Sequence, residues 1–129
     1  MRDPTEPLAW VTRAEEDLAL ARSALRHKTP LTYGATFHAQ QCTEKYLKAL
    51  LVARRQVFPR THDLAALSDL CLQNELIIPV HRDALERLTA YAVQVRYPGE
   101  DPTPDEAREA VQIAQAVRLF ARRLLNPLP

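Results

Sequence analysis

Glycine is scarce in this chain, 2 residues in 129. The sequence accordingly carries no glycine-rich phosphate loop, no nucleophile elbow and no Asn-Gly or Asp-Gly hairpin turn. It also lacks a Cys-x-x-Cys pair and a His-Glu-x-x-His helix, which sets aside the common zinc-site and redox motifs. No unbroken apolar run approaches a membrane span, and the opening MetArgAspProThrGluPro has no apolar core of the kind a signal peptide needs. Cysteine is confined to Cys42 and Cys71, both inside predicted helices. That usage suits buried thiols in a reducing compartment and not a disulfide framework, so the expected location is cytoplasmic. Charge is nearly balanced at a formal +1. A strong non-specific grip on nucleic acid is therefore not expected, although a local basic patch is compatible with it.

What the chain does have is proline, 10 residues that punctuate it. Pro4 and Pro7 precede a first helix, Pro30 and Pro59 bracket a second, Pro79 precedes a fourth, and Pro98, Pro102 and Pro104 separate the fourth from a fifth. Periodicity places these helices near Leu8–Arg26, Leu31–Arg55, Asp63–Asn74, Val80–Arg96 and Pro104–Leu125. Their apolar stripes predict the core: Trp10, Ala14, Leu18, Ala21 and Leu25; Leu64, Leu67, Leu70 and Cys71; Ala84, Leu85, Leu88, Tyr91, Ala92 and Val95; Ala107 through Leu124. Thr103 with Glu106 makes a capping box, with Pro104 at the favoured first helical position. No stretch alternates with period two. The expectation is an all-α fold, a five-helix antiparallel up-and-down bundle forming one domain over residues 1–129.

The second helix is the unusual one. Ala39, Cys42, Tyr46, Leu47, Ala49 and Leu50 cover one broad side, while Phe37 and Leu51 stand nearly opposite. Between those two runs a polar stripe, Gln41, Glu44 and Lys48, flanked by Gln40 and Lys45. A helix apolar over so much of its circumference is a central one, and its charges then need partners. Glu44 precedes Lys48 by four residues, the better orientation for an intrahelical pair worth about 0.3–0.5 kcal/mol on a surface. Read plainly the stripe is a solvated seam. Read functionally, amides, a carboxylate and ammonium groups line a groove for a nucleotide or a polar partner surface. His38 and Cys42 are one turn apart but lack a third metal ligand, so no metal or other cofactor is expected. Arg54, Arg55, Arg60 and His62 cluster after the second helix, and Arg118, Arg122 and Arg123 close the fifth, positions where cations complement a helix dipole.

The run PheHisAlaGlnGlnCysThrGluLysTyrLeuLysAlaLeuLeu, followed by ThrHisAspLeu at Thr61–Leu64 and ArgTyrPro at Arg96–Pro98, resembles the HEPN family. Trp10, Asp17-Leu18 and Glu106-Ala107 extend the likeness over most of the chain. The resemblance implies a helical bundle, usually a homodimer, often paired in toxin–antitoxin fashion with a minimal nucleotidyltransferase. Other members are metal-independent ribonucleases, marked by an Arg followed after four to six residues by His. Here the matching Arg is Arg96, and Asp101, Pro102 and Thr103 stand where the His belongs. Arg22 to His27 and Arg55 to His62 have suitable spacing but sit on the wrong helices. The combined expectation is a non-catalytic binding module with Gln41, Glu44, Lys45, Lys48, His62, Arg96 and Tyr97 as nucleotide- or partner-binding residues. A groove between the second and fourth helices would join Arg96 to Glu44 and Lys48. The alternative is a ribonuclease that recruits a His such as His62.

Overall fold

A computed structural model describes residues 4–93 and 97–125, with Val93 described by its backbone alone. Among these residues there are five α-helices and no strand: α1 Pro7–Arg26, α2 Thr32–Ala53, α3 Leu64–Gln73, α4 Arg82–Val93 and α5 Pro104–Leu124. No helix among them is long and apolar enough to cross a membrane.

Local chemistry sets the boundaries. At α5, the Thr103 hydroxyl accepts from Glu106 N–H (3.1 Å) and the Glu106 carboxylate from Thr103 N–H (2.9 Å), the expected capping box with Pro104 as first residue. Asp63 caps α3 by accepting from Ala66 N–H at 3.1 Å. Before α4, the His81 ring nitrogen accepts from Asp83 N–H at 3.1 Å, so the helix starts at Arg82 and not at Val80. Its expected last residues, Val95 and Arg96 among them, lie outside the described residues. The shortage of glycine shows at the ends of α2 and α3. Arg55 (φ 56°) and Glu75 (φ 64°) occupy the left-handed position that glycine ordinarily fills. Each end is closed by a bond back into the helix, Gln56 N–H to Leu51 O and Leu76 N–H to Cys71 O, both 2.9 Å.

Helix α2 is central, packing against all four others. Directions follow from the cross-helix pairs. Asp17 meets His38 and Lys45 while Glu15 meets Tyr46, so α1 and α2 are antiparallel. Asp69 meets Arg82 while Leu64 meets Thr89, and Arg87 meets Glu109 while Tyr91 bonds to Glu106, which makes α3–α4 and α4–α5 antiparallel too. The α2–α3 connection is not a hairpin. Gln40 donates to the His62 carbonyl, Cys71 lies against the Leu47 carbonyl, and Arg54 donates to the Asn74 carbonyl, so α3 runs parallel to α2. Residues 54–63 are laid back along α2 to make this possible. This return segment and α3 cover the second side of α2, which is why Leu51 is fully buried although it stands opposite the broad apolar face.

Most of the anticipated core is observed, including Ala39, Cys42, Tyr46, Leu47 and Ala49 without exposed surface, but Leu25, Leu70 and Ala84 pack at its edge, Tyr91 is half-buried, and Val95 lies outside the described residues. Two positions shift. Leu125 and not Leu124 turns inward (7% against 49% exposed), and on α1 the buried residue at that turn is Val11, with Trp10 at the core edge.

Candidate functional site, a polar seam around the central helix

The stripe on α2 divides between two neighbours. On one side Asp17 of α1 is buried, a carboxylate on the same face as Ala14 and Ala21. It accepts from Lys45 Nζ at 2.6 Å and pairs with His38 Nδ1 at 2.9 Å. On the other side Glu44, 4% exposed, accepts from Lys48 Nζ at 3.0 Å and from His62 Nδ1 at 2.7 Å. Gln40, fully buried, donates to the His62 carbonyl at 3.0 Å and lies 3.3 Å from Glu44 Oε1. Gln41 joins the halves, donating to Gln40 Oε1 (2.8 Å) and accepting from Lys45 (3.1 Å). One continuous chain thus runs His38, Asp17, Lys45, Gln41, Gln40, Glu44, then Lys48 and His62.

Lys48 is closed off from above. Its ammonium sits 5.7 Å from the Trp10 ring centroid and 5.6 Å from that of Phe58, and the two rings meet edge-on at 5.9 Å. Desolvation raises what such cation–π contacts contribute, and the Glu44 carboxylate completes the compensation of the charge. The intrahelical pair expected on a surface is therefore a buried one, and its partners come from α1 and the return segment.

A third cluster joins α1, α2 and α5. Arg118 grips Glu15 with two bonds of 2.8 and 2.9 Å, Tyr46 Oη donates to Glu15 at 2.6 Å, and Arg122 approaches at 3.7 Å. Burial pushes the Glu15 carboxyl up, but the hydrogen bonds from Arg118 and Tyr46 and the two guanidinium charges outweigh it and hold it below its ordinary value. Burial, and then the bond to Glu15, pushes the Tyr46 phenol up. Burial also pushes the Cys71 thiol up to about 12 and raises that of Cys42, leaving both as inert core groups.

Of the seven residues anticipated from sequence, Gln41, Glu44, Lys45, Lys48 and His62 are brought into one network. Tyr97, 71% exposed, stands in the loop after α4 with its N–H directed at Glu100 (3.4 Å), and Arg96 lies outside the described residues. The partners of Lys48 are Trp10, Phe58 and Glu44, none of them on α4. Sequence reading missed Asp17, His38 and the Trp10–Phe58 pair as parts of the seam, and placed Gln40 only at the flank of the stripe. For Asp17 the signal was present, since an acid on the apolar stripe of α1 demands a cation. Arg118 and Arg122, read as dipole-complementing cations, instead serve Glu15. His38 is spent on Asp17 and Cys42 on the core, and no group of three potential metal ligands occurs among the described residues.

Chemically, the seam ends in two imidazoles whose Nδ1–H groups are tied to carboxylates, with the His62 side chain 65% exposed. That is a bundle built around buried, mutually neutralising ions. The HEPN domain family model matches residues 8–124, and the chain belongs to the HEPN family. Among solved structures it is similar to TT1696 from Thermus thermophilus, with 29% identity, a TM-score of 0.70, and coverage of 92% of this chain and 98% of that one. No curated protein matches.

Proposed function

We propose that this HEPN protein is a non-catalytic, cytoplasmic binding module that acts as a homodimer and associates with a minimal nucleotidyltransferase partner, with nucleotide as a further ligand. The observation that carries the reading is the missing His after Arg96, together with the use made of the imidazoles elsewhere. His38 serves Asp17, His62 serves Glu44, and His81 serves the start of α4, while the fourth histidine, His27, is the exposed residue at the C-cap of α1. A ribonuclease site needs an imidazole free to move a proton beside a cation that reaches phosphate. Lys48, which shares the Glu44 carboxylate with His62, is instead covered by Trp10 and Phe58. In this reading His62, Gln41, Lys45, Arg96 and Tyr97 make the contacts with partner or nucleotide, and buried Glu44 and Lys48 hold His62 and its segment in place.

The test is to look for a minimal nucleotidyltransferase in the neighbouring reading frame, to co-express it with the chain and, separately, to incubate the purified chain with RNA. Expected are a co-eluting complex and no cleavage. Specific cleavage abolished by Arg96→Ala or His62→Ala would replace the binding reading with the ribonuclease one.

A further inference from the structure

The return segment 54–63 does more than cover α2. Where it passes the start of α1 it leaves a cleft of about 440 Å³ lined by Trp10, Val52, Arg55, Gln56, Val57 and Phe58, with Pro4 and Thr5 at the rim. Two features of this cleft point to the same occupant.

Its floor is aromatic, and the cation in its lining is Arg55. Trp10 and Phe58 line it, and the Lys48 ammonium lies against both rings at 5.7 and 5.6 Å without itself lining the cleft. Among the described residues no carboxylate lines the cleft and Arg55 has no acidic partner. The mouth is apolar and open: Val57 is 95% exposed, a β-branched side chain left almost wholly in water. An enclosed small-molecule pocket covers most of its ligand, whereas here the rim itself needs covering, which is the work of a macromolecular surface.

We propose that this cleft is a docking site for a segment of a protein partner that presents one large apolar side chain next to a carboxylate. The apolar group packs on Trp10 and Phe58 under Val57, and the carboxylate pairs with Arg55. The proposal stands whether or not the partner is a nucleotidyltransferase, because it rests on the chemistry of the cleft alone.

A random peptide library displayed on phage and selected against the full chain tests it while the partner is still unidentified. Enriched sequences are expected to pair Leu, Ile, Phe or Trp with a neighbouring Asp or Glu. A synthetic copy of one such peptide should bind about tenfold or more weakly to Val57→Asp and to Arg55→Gly, as for residues central to an interface. Because Val57 is exposed and glycine relaxes the backbone at residue 55, both variants should melt no lower than the parent. Absence of enrichment, enrichment without an acidic residue, or binding that survives both substitutions overturns the proposal. So does indole-3-acetate binding as tightly as the peptide and indifferently to Val57→Asp, which would make the cleft a small-molecule pocket.

Discussion

Helices α2 and α4 each carry an acid and a base four residues apart, and the two pairs do opposite jobs. Glu44 and Lys48 are 5% and 9% exposed at the side chain and bonded at 3.0 Å, with two aromatic rings and an imidazole completing their surroundings. Arg82 and Glu86 are 54% and 50% exposed, and Arg82 also reaches Asp69. Spacing alone does not separate these cases. What separates them is the route of residues 54–63, which lays Phe58 and His62 over one pair and leaves the other in water. A buried pair is not automatically stabilising, because two desolvation penalties oppose the attraction. Its mark is intolerance of losing one partner.

The largest expected effect follows from that. Lys48→Ala leaves the Glu44 charge buried with only His62 and Gln40 and strips the cation from Trp10 and Phe58. Urea unfolding should show a loss of about 3–5 kcal/mol. Glu86→Ala in α4 should be close to neutral by the same measurement.

An intermediate case lies at Glu15 and Arg118, each 34% exposed. The Glu15 carboxyl is held below its ordinary 4.5 in the folded chain. A depressed carboxyl contributes stability that is present above the unfolded value and is lost as pH falls through the folded one. Melting temperatures followed from pH 6 to pH 3 should therefore fall less steeply for Glu15→Gln than for the parent, with the two curves converging at the acid end.

A smaller effect concerns the ends of the two parallel helices, where Arg55 and Glu75 both hold a positive φ. Glu75 does not line the cleft that Arg55 serves. Glu75→Gly should therefore raise stability by roughly 0.5–1 kcal/mol through relief of the left-handed penalty. A fall in stability would mean that the Glu75 side chain contributes more than its backbone costs.

The helices and most of the core were legible in the sequence, because proline boundaries, the Thr103–Glu106 box and 3.6-residue periodicity are local signals. The family likeness was legible from the run around Gln40–Lys48. Membership of the seam was only partly legible. Gln41, Glu44, Lys45 and Lys48 share a helix, so their proximity followed from spacing. Trp10, Asp17, Phe58 and His62 approach them only because α1 packs antiparallel and the return segment doubles back, and no local pattern encodes a reversal of that kind. The parallel course of α3 was illegible for the same reason. Leu124 and Leu125 show the other limit: at the last turn, periodicity does not decide which of two adjacent leucines turns inward.

Whether the charged stripe of α2 is satisfied within its own chain comes down to how strongly Glu44 and Lys48 depend on each other. A double-mutant cycle in urea on Glu44→Ala and Lys48→Ala, run beside the same cycle on Arg82→Ala and Glu86→Ala, measures that dependence. A coupling above about 1.5 kcal/mol is predicted for the α2 pair, as for close charges out of water, and none resolved for the α4 pair. Equal and negligible couplings in both would contradict a seam satisfied from within and return Glu44 and Lys48 to the solvated surface.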